Sequence, residues 1–144
     1  VSARRKARKR AVDVLFGADV RETSLQEALE EAERVANLEP ERAGSWDYAK
    51  ELVLGVLDAK DDIDRIIDEA STSWRLERMP AVDRAVLRLA VWELLYNPEV
   101  PPGVCISEAV ELVSELSTEA SGGFVHGVLA AISENRNLTG NAER

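Results

Sequence analysis

Only one cysteine, Cys105, and one histidine, His126, occur in the 144 residues. A single cysteine excludes an internal disulfide framework and suits a reducing, cytoplasmic setting. With no second His or Cys nearby, His126 cannot anchor an ordinary zinc site. Cys105 has no histidine partner in a recognisable pattern, so it reads as packing rather than as a nucleophile. Neither G-x-x-x-x-G-K-[ST] nor G-x-G-x-x-G is present, and Gly122-Gly123 reads as a plain turn before a phosphate cradle. The adjacent acids Asp61 and Asp62 read as helix caps. The expectation is a protein with no catalytic centre, no metal and no cofactor. No apolar run reaches the length a bilayer requires, and the basic start is not followed by a signal-type hydrophobic segment, so no membrane contact is expected. Strand patterns, fixed-period repeats and low-complexity linkers are absent too, which leaves an all-α chain of one domain's length.

Basic residues are scarce outside one place. The net charge is −9, yet residues 1–10, VSARRKARKR, hold six of the 18 Lys and Arg and no acid. Residues 11–144 then set 12 basic groups against 27 acidic ones, a balance of −15. One pole is strongly positive on an acidic body. Such a body repels nucleic acid, so any RNA or DNA must be held locally at that pole.

What is abundant is helical periodicity. The stretch Met79–Pro98, MPAVDRAVLRLAVWELLYNP, is apolar around nearly its whole circumference, as a helix enclosed by others is. Pro80 suits its start and Asn97-Pro98 its end. Glu93 falls between Val82 and Val86 on the wheel, so its carboxylate needs a buried cationic or hydrogen-bonding partner. Arg84 and Arg88 lie one turn apart on one edge, and their plain reading is structural pairing to neighbouring helices.

Around this central helix the pattern predicts about seven helices. The first covers about 3–18, with Ala7, Ala11, Val14, Leu15 and Ala18 on one stripe. Ser24 opens a second through a capping box with Glu27, ending near Asn37. A third starts around Ser45, and Asp61 or Asp62 caps a fourth that ends at Ala70. After the central helix, Val100–Gly103 reads as a rigid loop, Ser107 starts the sixth helix, and Ser121–Gly123 separates it from the seventh. Residues 135–144 read as a mobile tail. The loop near Pro40 and the segment 60–75 are two candidate boundaries between small helical subdomains of one domain spanning 1–144.

On the first helix, Arg5, Lys6, Lys9 and Arg10 occupy the arc opposite the apolar stripe, while Arg4 and Arg8 flank it. Phe16 borders this surface and reads first as core, second as a stacking platform. Positive charges at a helix N-terminus oppose the macrodipole at up to about 1 kcal/mol each, which suggests an anionic ligand; the competing reading is a solvated basic end. Because these side chains lie off the stripe, replacing Arg5, Arg8 and Lys9 together by alanine is expected to leave melting unchanged.

Taken in order, RRKARKRAVDVLF, RMPAVDRAVLRLAVWELLY and VPPGVCISEAVELVSELS followed by GGFVHGVL make the chain resemble the NusB family of transcription antitermination factors, from about Arg4 to Ile132. The resemblance implies an all-α fold of two small helical subdomains and a non-enzymatic RNA-binding adaptor. It implies binding of the single-stranded boxA element of ribosomal RNA leader transcripts together with NusE, a ribosomal protein, within an RNA polymerase antitermination complex. By position, it implies RNA-binding roles for Arg4, Arg5, Lys6, Arg8, Lys9, Arg10 and Phe124, with Phe16 a further candidate, and contact with NusE near Glu77, Arg84 and Arg88. Ser107 and His126 stand where family members commonly have Asn, Phe16 where they have Tyr, and Gly122-Gly123 where polar or basic residues are frequent. Two rivals remain. One is the RNA-binding domain of ribosomal RNA methyltransferases, which would need a following catalytic domain. The other is a protein-interaction module in which the basic helix is buried in a homodimer, where six like charges would repel across the two-fold axis.

Overall fold

The computed structural model describes residues 2–143, excepting the side chains of Arg42 and of residues 137–143. Six α-helices occupy the described residues: α1 (Ala3–Arg21), α2 (Leu25–Asn37), α3 (Ala43–Ala70), α4 (Ala81–Tyr96), α5 (Pro102–Leu116) and α6 (Glu119–Glu143), with 3-10 turns at Pro40–Arg42 and Leu76–Arg78. The fold is all-α, as the periodicity predicts. The expected tail at 135–144 falls on residues of which 137–144 lie outside the described side chains.

Local signals set most of the helix ends. Ser2 Oγ accepts from the Arg5 amide at 3.1 Å and starts α1. Ser24 Oγ does the same for Glu27 and starts α2, as the capping signature requires. Three expected boundaries move. The third and fourth predicted helices are one, α3, which kinks at Ala59 (φ −115°, ψ 18°) rather than breaking at Asp61-Asp62. Pro102 lies in the first turn of α5, so the helix starts five residues before Ser107; proline is tolerated there because its missing N–H would be unpaired anyway. Ser121–Gly123 lie inside α6, whose first turn is capped by Thr118 Oγ accepting from the Ser121 amide at 3.2 Å.

Helix α4 is the axis of the molecule and packs on α1, α3, α5 and α6. Its residues Ala85 to Val91 are all buried, and so are Asp83, Glu93 and Leu94. Asp83 sits three residues past the N-cap Pro80, which has no N–H to offer a capping box; among the described residues neither of its oxygens has a hydrogen bond. It lies at the positive end of the helix dipole. Gly55 on α3 lets α4 approach closely: a Cβ there would lie 2.1 Å from the Trp92 indole.

Candidate nucleic-acid interface

Ala7, Ala11, Leu15 and Ala18 seat α1 on α3 and α4, which lays the basic residues of α1 along a neighbouring row of carboxylates. Arg4 pairs with Glu99 at 3.0 Å, and its guanidinium stands 4.7 Å from the Tyr48 ring centre. Arg5 holds Glu108 through two hydrogen bonds of 2.9 Å and Glu111 at 2.6 Å. Lys9 meets Glu115 at 2.7 Å. Arg10 donates to Ser45 Oγ at 2.8 Å and lies 5.3 Å from the Trp46 ring centre. Lys6 is exposed, and no described carboxylate pairs with it. With Lys9, Arg10, Asp13, Glu41, Gly44 and Ser45 it lines a groove of about 580 Å³ between α1 and the start of α3.

Arg8 departs from the expectation. Its side chain is 4% exposed and straddles the Glu93 carboxylate at 2.9–3.1 Å. Tyr48 OH also donates to Glu93, and Asn97 Nδ2 donates to Tyr48 at 3.0 Å. Burial works against the Arg8 charge, but the hydrogen bonds and charge of Glu93 outweigh it and leave its pKa raised. Burial, then the bond and charge of Glu93, push the Tyr48 hydroxyl up. Glu93 thus has the partner its wheel position demands, and the partner is a residue the sequence placed among surface cations. The expected neutrality of the Arg5, Arg8 and Lys9 triple replacement conflicts with this burial: Arg8 flanks the stripe and points inward. At Glu108, the hydrogen bond from Arg5 holds the carboxyl below the usual carboxylate range against the opposing effect of burial.

Phe124 packs half-buried in α6, with its ring 5.3 Å from Trp74 at an interplanar angle of 48°. Trp74 is 47% exposed. Its backbone is pinned by Ser71 Oγ, which donates to the Trp74 carbonyl at 2.5 Å and receives its amide at 3.3 Å. The exposed charges of Arg75 and Arg78 follow it in the chain. Sequence reading missed Trp74; the available signal was a tryptophan in a Ser/Thr-rich break with arginine next to it. Phe16 packs against the core. Among the described residues the ring partner of Phe124 is Trp74, while the α1 cations Arg4 and Arg10 lie over Tyr48 and Trp46.

Arg84 and Arg88 are held by internal acids, in line with their plain reading. Arg84 Nε donates to Asp19 at 2.6 Å, and its Nη1 to the carbonyls of Leu76 and Met79 at 3.0 Å. Arg88 grips Asp64 at 2.8 and 3.1 Å. Together with Asp19, Asp64, Asp68, Arg75, Leu76 and Glu77 they line an open groove, and of the three predicted partner residues only Glu77 is exposed. Cys105 is buried, donates toward the Val100 carbonyl at 3.7 Å, and burial pushes its thiol up to about 11.

The family model described as NusB family matches residues 5–134. The transcription antitermination protein NusB of Leifsonia xyli subsp. xyli is 57% identical over 145 residues, covering 100% of both chains. Among solved structures, T. maritima NusB is 34% identical with a TM-score of 0.78, covering 91% of this chain and 90% of its own. A crystal structure of the antitermination factors NusB and NusE in complex with dsRNA contains a chain 32% identical, TM-score 0.79, covering 92% of this chain and 97% of that one.

Proposed function

The chain belongs to the NusB family, and from that premise we propose that it is an RNA-binding antitermination adaptor. In this reading it holds boxA-type single-stranded RNA of ribosomal RNA leader transcripts together with NusE and so supports read-through by RNA polymerase in the cytoplasm. The observation that carries the reading is the α1 ridge: Arg4, Arg5, Lys6, Lys9 and Arg10 within seven residues, partly exposed or exposed, on a body that is otherwise acidic. Phosphates seat on Lys6, Lys9 and Arg10 along the α1–α3 groove and on Arg4 and Arg5 beside it. Arg8 is a positioning residue that clamps α1 to α4 through Glu93. Phosphate contacts hold a strand without reading it, so selectivity comes from bases stacked elsewhere; Trp74 and Phe124 offer the aromatic surface.

The groove of Asp19, Asp64, Asp68 and Glu77 with Arg75, Arg84 and Arg88 mixes both signs, and the acidic body around it suits a basic protein such as NusE. Within it Glu77 reaches the partner, while Arg84 and Arg88 hold the groove's shape. The related NusB–NusE complex contains dsRNA, so duplex RNA is the competing ligand. Filter binding of the full chain to boxA-type, scrambled and duplex RNA, with and without NusE, is the test. The expected result is weak, salt-sensitive binding by the chain alone and a gain in affinity and boxA preference when NusE is added. Selectivity unchanged by NusE, or preference for the duplex, overturns it.

A further inference from the structure

Each cation that α1 turns toward α5 already carries an anion. Glu108, Glu111 and Glu115 stand at i, i+3 and i+7, one face of α5, and meet Arg5 and Lys9 one turn apart on α1 at 2.6–2.9 Å. Glu99, just before α5, meets Arg4. Carboxylate and phosphate oxygens compete for the same guanidinium and ammonium donors. The outer pairs are half-open to water: Arg5 and Lys9 side chains are 35% and 38% exposed, Glu111 and Glu115 57% and 56%. A cation can therefore change partner here without unfolding anything, unlike the enclosed Arg8–Glu93 pair.

We propose that Glu111 and Glu115, with Glu99 and Glu108 beside them, are an internal competitor that sets the affinity and selectivity of the basic helix for RNA. The inference rests on the RNA-binding reading above. A single anion meets a carboxylate tethered in place at high effective concentration and does not displace it. A strand delivers several phosphates at once and exchanges the whole row. The released carboxylates take up cations from solution, so the exchange lets go of fewer counterions than the phosphate count alone would release. The salt dependence of wild-type binding is then shallower than about −0.7 per phosphate contacted.

The test is RNA binding across a salt series by the wild-type chain, Glu111→Gln, Glu115→Gln and the double variant, with Lys9→Ala as a marker of the α1 face. Glu69→Gln serves as a charge control, since Glu69 pairs with Arg65 on α3. All substituted side chains are at least partly exposed, and a melting curve for each checks the fold. Removing an exposed ion pair of this kind loosens the hold on its cation by about two- to fivefold, fully for Lys9 and in part for Arg5, which keeps Glu108, so each glutamine variant tightens RNA binding by up to that factor. The double variant tightens it by roughly the product, with a steeper salt slope, while Glu69→Gln leaves affinity within twofold. If Lys9→Ala weakens binding but the glutamine variants do not tighten it, the competitor is overturned and the RNA-binding reading stands. An equal gain from Glu69→Gln overturns it as well, by showing a general charge effect. Absence of RNA binding by every variant overturns both.

Discussion

Two neighbours on α1, Arg8 and Lys9, are chemically alike in the sequence and opposite in the fold. Arg8 neutralises a carboxylate that is 1% exposed. Removing one partner of such a pair leaves a buried charge without compensation, so Arg8→Ala is expected to cost about 3–5 kcal/mol. Lys9→Ala, which opens an exposed pair with Glu115, should move stability by less than about 0.5 kcal/mol. Urea titrations of the two variants separate them, and equal effects would show that the Arg8 clamp is not structural. Glu108 carries a pH consequence. Its folded pKa is depressed by Arg5, so its contribution to stability is present above its unfolded value, about 4.3, and is lost as pH falls through the folded value. Melting temperatures of wild type and Glu108→Gln measured from pH 7 down to pH 3 should therefore differ most at neutral pH and converge in acid. A difference that grows in acid would contradict the sign.

At the level of the helices, two glycines make contrasting predictions. Gly55 lies under the Trp92 indole, where an added Cβ would sit 2.1 Å from ring atoms. A rigid ring wedged between α3 and α4 cannot yield by a rotamer change, so Gly55→Ala should lose about 1–3 kcal/mol or more through separation of the two helices. Gly122 faces α5, and its Cβ would meet Ser114 Oγ at 2.7 Å. That atom is the end of a short side chain that rotates away, so Gly122→Ala should be close to neutral, helped by alanine's helix propensity. Thermal melts of both variants decide the point; a large loss at Gly122 would mean that α5 and α6 hold their spacing more tightly than the serine rotamer suggests.

For the molecule as a whole, the buried apolar residues form one continuous cluster contributed by all six helices. A shared core gives its elements no separate stability, so unfolding is expected to be a single transition. Far-ultraviolet circular dichroism, which follows all helices, and tryptophan fluorescence, which follows Trp46, Trp74 and Trp92, should then give one midpoint. Leu89 is 1% exposed at the centre of α4, so Leu89→Ala should cost about 2–5 kcal/mol and shift both signals together. Two separated midpoints would show that the halves of the bundle melt independently.

Periodicity, capping and composition determined the helical class, the enclosed central helix, the extent of the first helical stripe and the capped start of α2, because each depends on residues within a few turns of one another. The same local logic required a partner for Glu93 without naming it, since Arg8 lies 85 positions away and only packing α1 against α4 brings the two together. Charge counting found the basic pole but not its occupation: the glutamates that meet Arg4, Arg5 and Lys9 are about a hundred residues distant. Their i, i+3, i+7 spacing on α5 becomes a row facing α1 only when the helices are docked. Trp74 joined Phe124 for the same reason, as a loop residue and a helix residue fifty positions apart. Which side chains are helical, apolar or charged is a local property. Which charge meets water and which meets another charge is decided by docking, because burial and pairing are relations between helices rather than properties of any one of them.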